Sequence, residues 1–277
     1  MKEIRKKQKR LYKIMKVLII FSVIFILAYI GAEPYAAAYS NMLAVILNYV
    51  CDFLVIANMI LIFTYYSKYG KSDAFLTSIE YEINDNGYYF TSREESEQDS
   101  YLNAVYEDLK NSKFTMSKNV TVNDFTFDFR AYKKKEFFYG VSVDSIDKND
   151  VLAYLDEIID DITIKNLKRK GNAVLFFVTD KAEDSAIELS KMITPLGKKD
   201  NIKIAIAIVE PESKKIYFRG NEESICRRLI ANYVMNCDVP IKDKFIHKEK
   251  MQFQYDLEEK MESFTIKDFK DGNFYAH

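Results

Sequence analysis

FTFDFRAYKKKEFFYGVSV, residues 125–143, holds two runs of strand-like alternation joined by a basic turn. Phe125, Phe127 and Phe129 fall on one side of the first run and Asp128 on the other, because successive strand side chains point to opposite faces. The two strands are expected near 122–132 and 136–145. What the second run sets beside Asp128 decides whether this sheet carries chemistry.

The surroundings read as an α/β layer. NAVLFFVTD, 172–180, is an unbroken apolar run between polar residues, the mark of a strand buried on both faces. Before it, residues 147–171 place Val151, Leu152, Leu155, Ile158, Ile159 and Ile162 at helical spacing and close with Lys165, Lys168, Arg169, Lys170 and Gly171. After it, 182–193 predicts an amphipathic helix ended by Pro195 and Gly197. Residues 202–220 predict strand, turn and strand, and 221–235 a helix capped by Asn221. Upstream, 101–114 carries a helical stripe of Leu102, Val105 and Leu109, and 79–92 alternates around Asn86-Gly87 as a hairpin would. This order predicts a mixed sheet with helices on its faces over 67–240. Residues 241–277 form a charged C-terminal segment with a helix near 246–263.

The N-terminal quarter is different. Residues 15–31 and 42–66 are apolar runs near the length of about 20 residues that a helix needs to cross hydrocarbon. The link between them contains Gly31, Pro34 and Asn41, which favour a tight turn. We expect a transmembrane helical hairpin, with spans at about 15–35 and 42–66, rather than a cleaved signal peptide. Residues 1–14 are a basic N-terminus. Lys2, Arg5, Lys6, Lys7, Lys9, Arg10, Lys13 and Lys16 face a single Glu3, and Lys68 and Lys71 follow the second span. The short link has no cation. Cations stay on the cytoplasmic side, so both termini and the α/β domain are expected in the cytoplasm of a multi-pass plasma-membrane protein. Lys6, Lys7, Lys9, Arg10, Lys13 and Lys16 are expected against anionic headgroups.

Three polar residues interrupt the second span, Asn48, Asp52 and Asn58. A carboxyl at the centre of a span costs about 2.5–3.5 kcal/mol by insertion scales. A transport path is one use for it. With no second charge in the first span, helix-to-helix contact, within the hairpin or between protomers, is the better reading.

Composition excludes several classes. The net charge of −1 hides a basic end, and the remainder is acidic, which disfavours broad nucleic-acid binding. Cys51, Cys226 and Cys237 with His247 and His277 show no zinc-ligand spacing. No phosphate-binding glycine loop or nucleophile elbow occurs. The acidic group Asp156, Glu157, Asp160 and Asp161 reads as a solvated helix face. A chain rich in Lys, Ile, Tyr and Asn, with no Trp, suggests a low-GC bacterial gene.

Two quoted segments carry a resemblance, YEDLKNSKFTMSKNVTVNDFTFDF (106–129) and NAVLFFVTDKAEDSAIELSKMI (172–193). Residues 101–218 resemble the Mrr-type branch of the PD-(D/E)XK restriction endonucleases. That resemblance implies an aspartate on one strand and Glu- or Gln-x-Lys on the next, holding Mg²⁺ and a water. Asp128 matches the first position. The next strand offers Ser142, Val143 and Asp144 with no lysine, and Glu136 would need a shifted register, so the implied site is degenerate.

The expectation is therefore a two-span membrane protein that tethers a non-catalytic α/β interaction or regulatory domain. It needs no cofactor, and its partners are the bilayer and a protein or a second copy. The alternative is a membrane-tethered nuclease-like or nucleic-acid-binding protein using Asp128, Asp144 or Glu136 with Mg²⁺.

Overall fold

The computed structural model describes residues 2–165, 170–196 and 201–263. The chain divides into two compact units, residues 1–80 with 256–277, and residues 81–255.

In the first unit α1 (Lys2–Tyr39) and α2 (Asn41–Ile83) are long helices parted by Ser40 alone. They run antiparallel, as their contacts show. Arg5 meets Glu80, Tyr12 lies 5.6 Å from Tyr65 between ring centres, Ser22 meets Asn58, and Tyr29 meets Ala44. The turn expected over 31–41 shrinks to one residue, because α1 continues through Gly31 and Pro34. A proline removes one intrahelical donor, and an apolar helix tolerates that loss where neighbours absorb it.

The stretches Arg5–Tyr35 and Asn41–Gly70 are long and apolar enough to cross a membrane. Only 17% of the most apolar window of the first is buried, and 0% of the second. A core helix of a globular domain would have such a surface covered. Here Val17, Phe21, Ile24 and Leu27 on α1, and Phe53, Met59 and Phe63 on α2, lie open.

In the second unit the strands are β1 (Tyr88–Phe90), β2 (Thr115–Val122), β3 (Phe125–Lys133), β4 (Glu136–Ile146), β5 (Lys170–Ala182), β6 (Ile193–Leu196), β7 (Asn201–Glu210), β8 (Lys215–Tyr217) and β9 (Ile246–His247). Eight lie in the order β2-β3-β4-β5-β7-β8-β1-β9, and β6 pairs with β7. β4, β5 and β7 are parallel, and the remaining pairings are antiparallel. Parallel neighbours need a crossover. The segment with α4 (Lys148–Asp160) links β4 to β5, and the segment with α5 (Asp184–Ser190) links β5 towards β7.

β5 is the buried strand that its apolar run predicts. Val174, Phe176 and Val178 enter one core layer with α3 (Gln98–Asn111) and α6 (Ile225–Leu229). Ala173, Leu175 and Phe177 enter the other with α4 and α5.

Several local expectations change. Asn86-Gly87 does not turn a hairpin. α2 runs to Ile83, and β1 pairs with β8 and β9, strands far away in sequence. The helix over 147–171 stops as a π-helical turn at Asp161–Lys165, and Gly171 lies in β5. There a Cβ would sit 2.9 Å from the Lys135 carbonyl oxygen, so glycine serves close strand packing rather than a helix stop. The lysine-rich residues 166–169 lie outside the described residues, as do 264–277. Ser224, not Asn221, caps α6 by accepting the Arg227 N–H. Residues 241–255 are not a separate segment, since Ile241, Phe245, Ile246, Met251 and Phe253 join the two core layers. The helix near 246–263 begins later, as α7 (Gln252–Ser263).

Asp85 organises the start of this unit. Its carboxylate accepts from Lys191 Nζ at 3.1 Å, the Tyr89 hydroxyl at 3.0 Å and the Gly220 N–H at 3.2 Å. Lys191 also donates to the carbonyls of Asn86 and Phe218. Both charged side chains are fully enclosed. Burial lowers the Lys191 pKa, and the Asp85 charge opposes that shift. Removing one member of a buried pair costs about 3–5 kcal/mol, because the other charge stays unpaired. Lys191→Met should therefore lower the free energy of urea unfolding by that amount, and Asp85→Asn added to it should restore part of the loss.

Burial also raises the pKa of Tyr89, Tyr101 and Tyr139, and pushes the Cys226 thiol up to about 12. These groups hold their protons in the fold and release them when unfolded, at about pH 8.5 for Cys and 10 for Tyr. Their contribution is whole below those values and is lost as pH rises. Lys191 works in the opposite direction and is outnumbered. Stability should decline above about pH 9, each such group adding up to about 1.4 kcal/mol per pH unit. Equilibrium unfolding from pH 7 to 11 measures this, and native Cys226 should resist alkylation until the chain unfolds.

Candidate functional site

Asp128 sits where β3 changes the face it presents. Phe125 and Phe127 pack in the layer of α4, whereas Phe129 and Ala131 pack in the layer of α3. The expectation that the three phenylalanines share one face is thus corrected. The cause lies in the pairing. β3 and β4 pair only from Phe129↔Gly140 to Lys133↔Glu136. On the other side, β2 pairs Lys118↔Phe129 and Val120↔Phe127, with Asn119 between them at φ 48°.

Beyond the end of the β3–β4 ladder, the carboxylate of Asp128 takes over. Its Oδ2 accepts the Ser142 N–H at 2.7 Å. Gly140 makes room at this point, since a Cβ there would lie 2.8 Å from both the Phe129 and Phe176 rings. The Ser142 hydroxyl donates to Gln98 Oε1 at 2.6 Å, tying β4 to the first turn of α3.

Around this contact lie two hollows. A cleft of about 570 Å³ opens beyond the C-terminal ends of β4 and β5, lined by Gln98, Asp99, Ser142, Asp144, Asp180 and Glu212. The outer ends of parallel strands are where α/β sheets commonly bind ligands. A smaller hollow of about 140 Å³ holds Asp128, Asp99, Tyr106 and Lys118. Lys118 stands over the Tyr106 ring at 4.4 Å. Asp128, Ser142 and Asp144 are therefore near neighbours. Glu136 is not, because it begins β4, roughly 20 Å of strand from Ser142 at 3.3 Å per residue.

Lys118 escaped the sequence reading because β2 did. Its residues Thr115–Val122 alternate poorly, with Val122 alone buried. The signal was present in Asn123-Asp124, a two-residue turn between runs, with Asn123 at φ 49°.

Among the described residues, no group of three His, Cys, Asp or Glu side chains converges with metal spacing. Asp128 already accepts a backbone N–H, and Ser142 and Gln98 bond each other. Asp161, expected on a solvated face with Asp156, Glu157 and Asp160, is instead buried. It receives Arg130 and the Tyr139 hydroxyl at 2.9 and 2.6 Å. A helix face turned to the sheet, not to water, explains the change.

The other expected positions lie on the hairpin. Asn58 donates to Ser22 Oγ at 2.7 Å. Asn48 and Asp52 are exposed. Lys6, Lys7, Lys9, Arg10, Lys13 and Lys16 are exposed too, and Lys9, like Arg5, also pairs with Glu80.

Comparison of the chain with models of protein families, with curated proteins and with solved structures finds no match.

If the main work of Asp128 is to hold Ser142, Asp128→Ala should cost about 1 kcal/mol of unfolding free energy, the net worth of a partly buried hydrogen bond. Asp128→Asn, which still offers an acceptor oxygen, should recover most of it. Chemical denaturation of the two variants distinguishes this from an unpaired surface carboxylate, for which both changes would be neutral.

Proposed function

We propose that this chain is a two-span membrane protein that tethers an α/β interaction or regulatory domain to the cytoplasmic face. The observation that carries the reading is the open apolar surface of both helices. The most apolar window of α2 is wholly unburied, which water would penalise and hydrocarbon would not. Cations at the N-terminus and at Lys68 and Lys71, against none in the link, favour a cytoplasmic domain. A tether raises the local concentration of the domain for anything at that membrane face.

The domain offers a place for contact. Ile225 and Val239, 44% and 43% exposed, border a cleft of about 540 Å³ with Arg227 and Arg228. Apolar residues with arginines are the enriched composition of protein-binding patches.

A second reading, a nuclease-like protein using Asp128, is favoured by one observation, the bond from Ser142 to Asp128 beside two hollows, one holding Asp128 and Lys118 and the other Ser142 and Asp144. The order α3, β2, β3, β4, α4, β5 is compatible with the resemblance stated above. We place this reading second because β4 carries no lysine to accompany Asp128. Under the first reading the purified protein with Mg²⁺ leaves duplex DNA and RNA intact. Cleavage that Asp128→Ala abolishes would reverse the order of the two readings.

Orientation is tested in intact cells with a membrane-impermeant maleimide, in a Cys51→Ala background. Ser40→Cys should be labelled from outside. Lys135→Cys, in the exposed β3–β4 turn, should be labelled only after permeabilisation. The reverse pattern, or labelling of both from outside, overturns the cytoplasmic placement.

A further inference from the structure

The three polar residues of α2 do not share a direction. Ala44, Asn58 and Tyr65 contact α1, and Cys51, at the same spacing of seven, is half-buried. Asp52 is one residue further round, about 100° from that line. It is exposed, as is Asn48 one turn before it. Among the described residues neither has a hydrogen-bond partner. Asn58 has already met Ser22 through its amide N–H, so the hairpin engages one of these three polar side chains and leaves two facing outward.

These two occupy consecutive positions of one seam. Val45, Asn48, Asp52, Val55 and Met59 recur at intervals of three and four, and all are exposed. That is the repeat by which two parallel helices pack along their length, and one polar position in it fixes register. We propose that this seam packs against the same seam of a second copy, with Asp52 and Asn48 bonding across a two-fold axis. The proposal rests on the reading that α2 spans a membrane, where an unpaired carboxyl and amide are both costly. The face is self-complementary. The Asn48 amide supplies donors, and the Asp52 carboxyl supplies acceptors on the same stripe one turn away. An isologous contact therefore satisfies both groups twice. Valines and a methionine flank them, so the rest of the seam is apolar.

The test uses the full chain in membranes of cells that express it, in a Cys51→Ala background. Met59→Cys reports on the seam. Val50→Cys, on the opposite side of α2, is the control. Under oxidation Met59→Cys should form a covalent dimer several-fold faster than Val50→Cys. Asp52→Leu should weaken the non-covalent dimer about three- to tenfold by dilution in detergent, in keeping with interhelical hydrogen bonds in membranes. Asp52→Asn should keep most of it. Leucine inserts into hydrocarbon more readily than aspartate, so loss of the dimer in that variant is not a loss of insertion. Alkaline carbonate extraction is run alongside. A chain that stays in the membrane but is monomeric, cross-links equally at both positions, or joins a different protein through the thiol introduced by Met59→Cys overturns the proposal while leaving two spans intact. A chain that carbonate releases overturns the spans and the seam together.

Discussion

The buried carboxylate of Asp85 is the constraint on which the sheet edge depends. β1 is only three residues long and shares two residue pairs with each neighbour. So short a strand cannot hold its place by backbone pairing. Asp85 supplies what the ladder lacks, drawing in Tyr89 from β1, Gly220 from just past β8, and Lys191 from the end of α5. Gln254 in α7 donates to the carbonyls of Glu82 and Asp85, which brings a fifth segment to the same point. A buried ion pair adds little stability over an apolar pair of the same shape. Its geometry is demanding, though. The observed placement of β1 satisfies the carboxylate, the ammonium and the hydroxyl at once. Gly220 belongs to that placement, since a Cβ there would fall 2.1 Å from the Tyr89 hydroxyl oxygen.

The same dependence explains why some of the fold was legible in the sequence and some was not. β5 could be read from NAVLFFVTD because both faces are dry, and a run of apolar residues suffices to say so. α3 and the first part of α4 were legible from helical stripes that do lie against the sheet. β1 could not be read correctly. Asn86-Gly87 is a good local turn signal, but the partners of β1 are more than 120 residues away, and non-local pairing leaves no local trace. β2 was missed for the opposite reason. It is an edge strand with little burial, so its sequence has no apolar alternation to show. The caps differ in the same way. Ser224 and Asn221 are both competent to cap a helix, and only packing decides between them.

At the candidate site, Asp128 was singled out for its residue type, and the structure gives that type a use which needs no ligand. A strand that changes faces leaves its neighbour with an unpaired backbone donor. A carboxylate is the strongest acceptor available to meet it. Gly140 is part of this arrangement, because the two rings that crowd it belong to the layer Phe129 has just entered. What the sequence could supply was the absence of a lysine on β4. What it could not supply was Lys118, brought to Asp128 by a strand it did not reveal. The cleft beyond β4 and β5 is lined by Asp99, Asp144, Asp180 and Glu212, carboxylates that the sequence spreads over more than 110 residues.

Under the proposed reading that the hairpin spans a membrane, it shows the same residue types under a different solvent. In the α/β unit an exposed carboxylate such as Asp144 is hydrated and needs no protein partner. On α2, the side facing α1 is filled by Ala44, Asn58 and Tyr65, and Asn58 finds Ser22 there. Asp52 points elsewhere. Exposure in an isolated chain means water for Asp144 and hydrocarbon for Asp52, if α2 spans. The cost of a polar group is therefore set by which solvent borders it, and only in lipid is the cheapest remedy another protein surface. A helix that needed nothing beyond its hairpin would have no use for Asn48 and Asp52 on its outer side. Their position one turn apart, among valines and methionine, is the reason the proposed seam gives α2 a second protein surface in addition to α1.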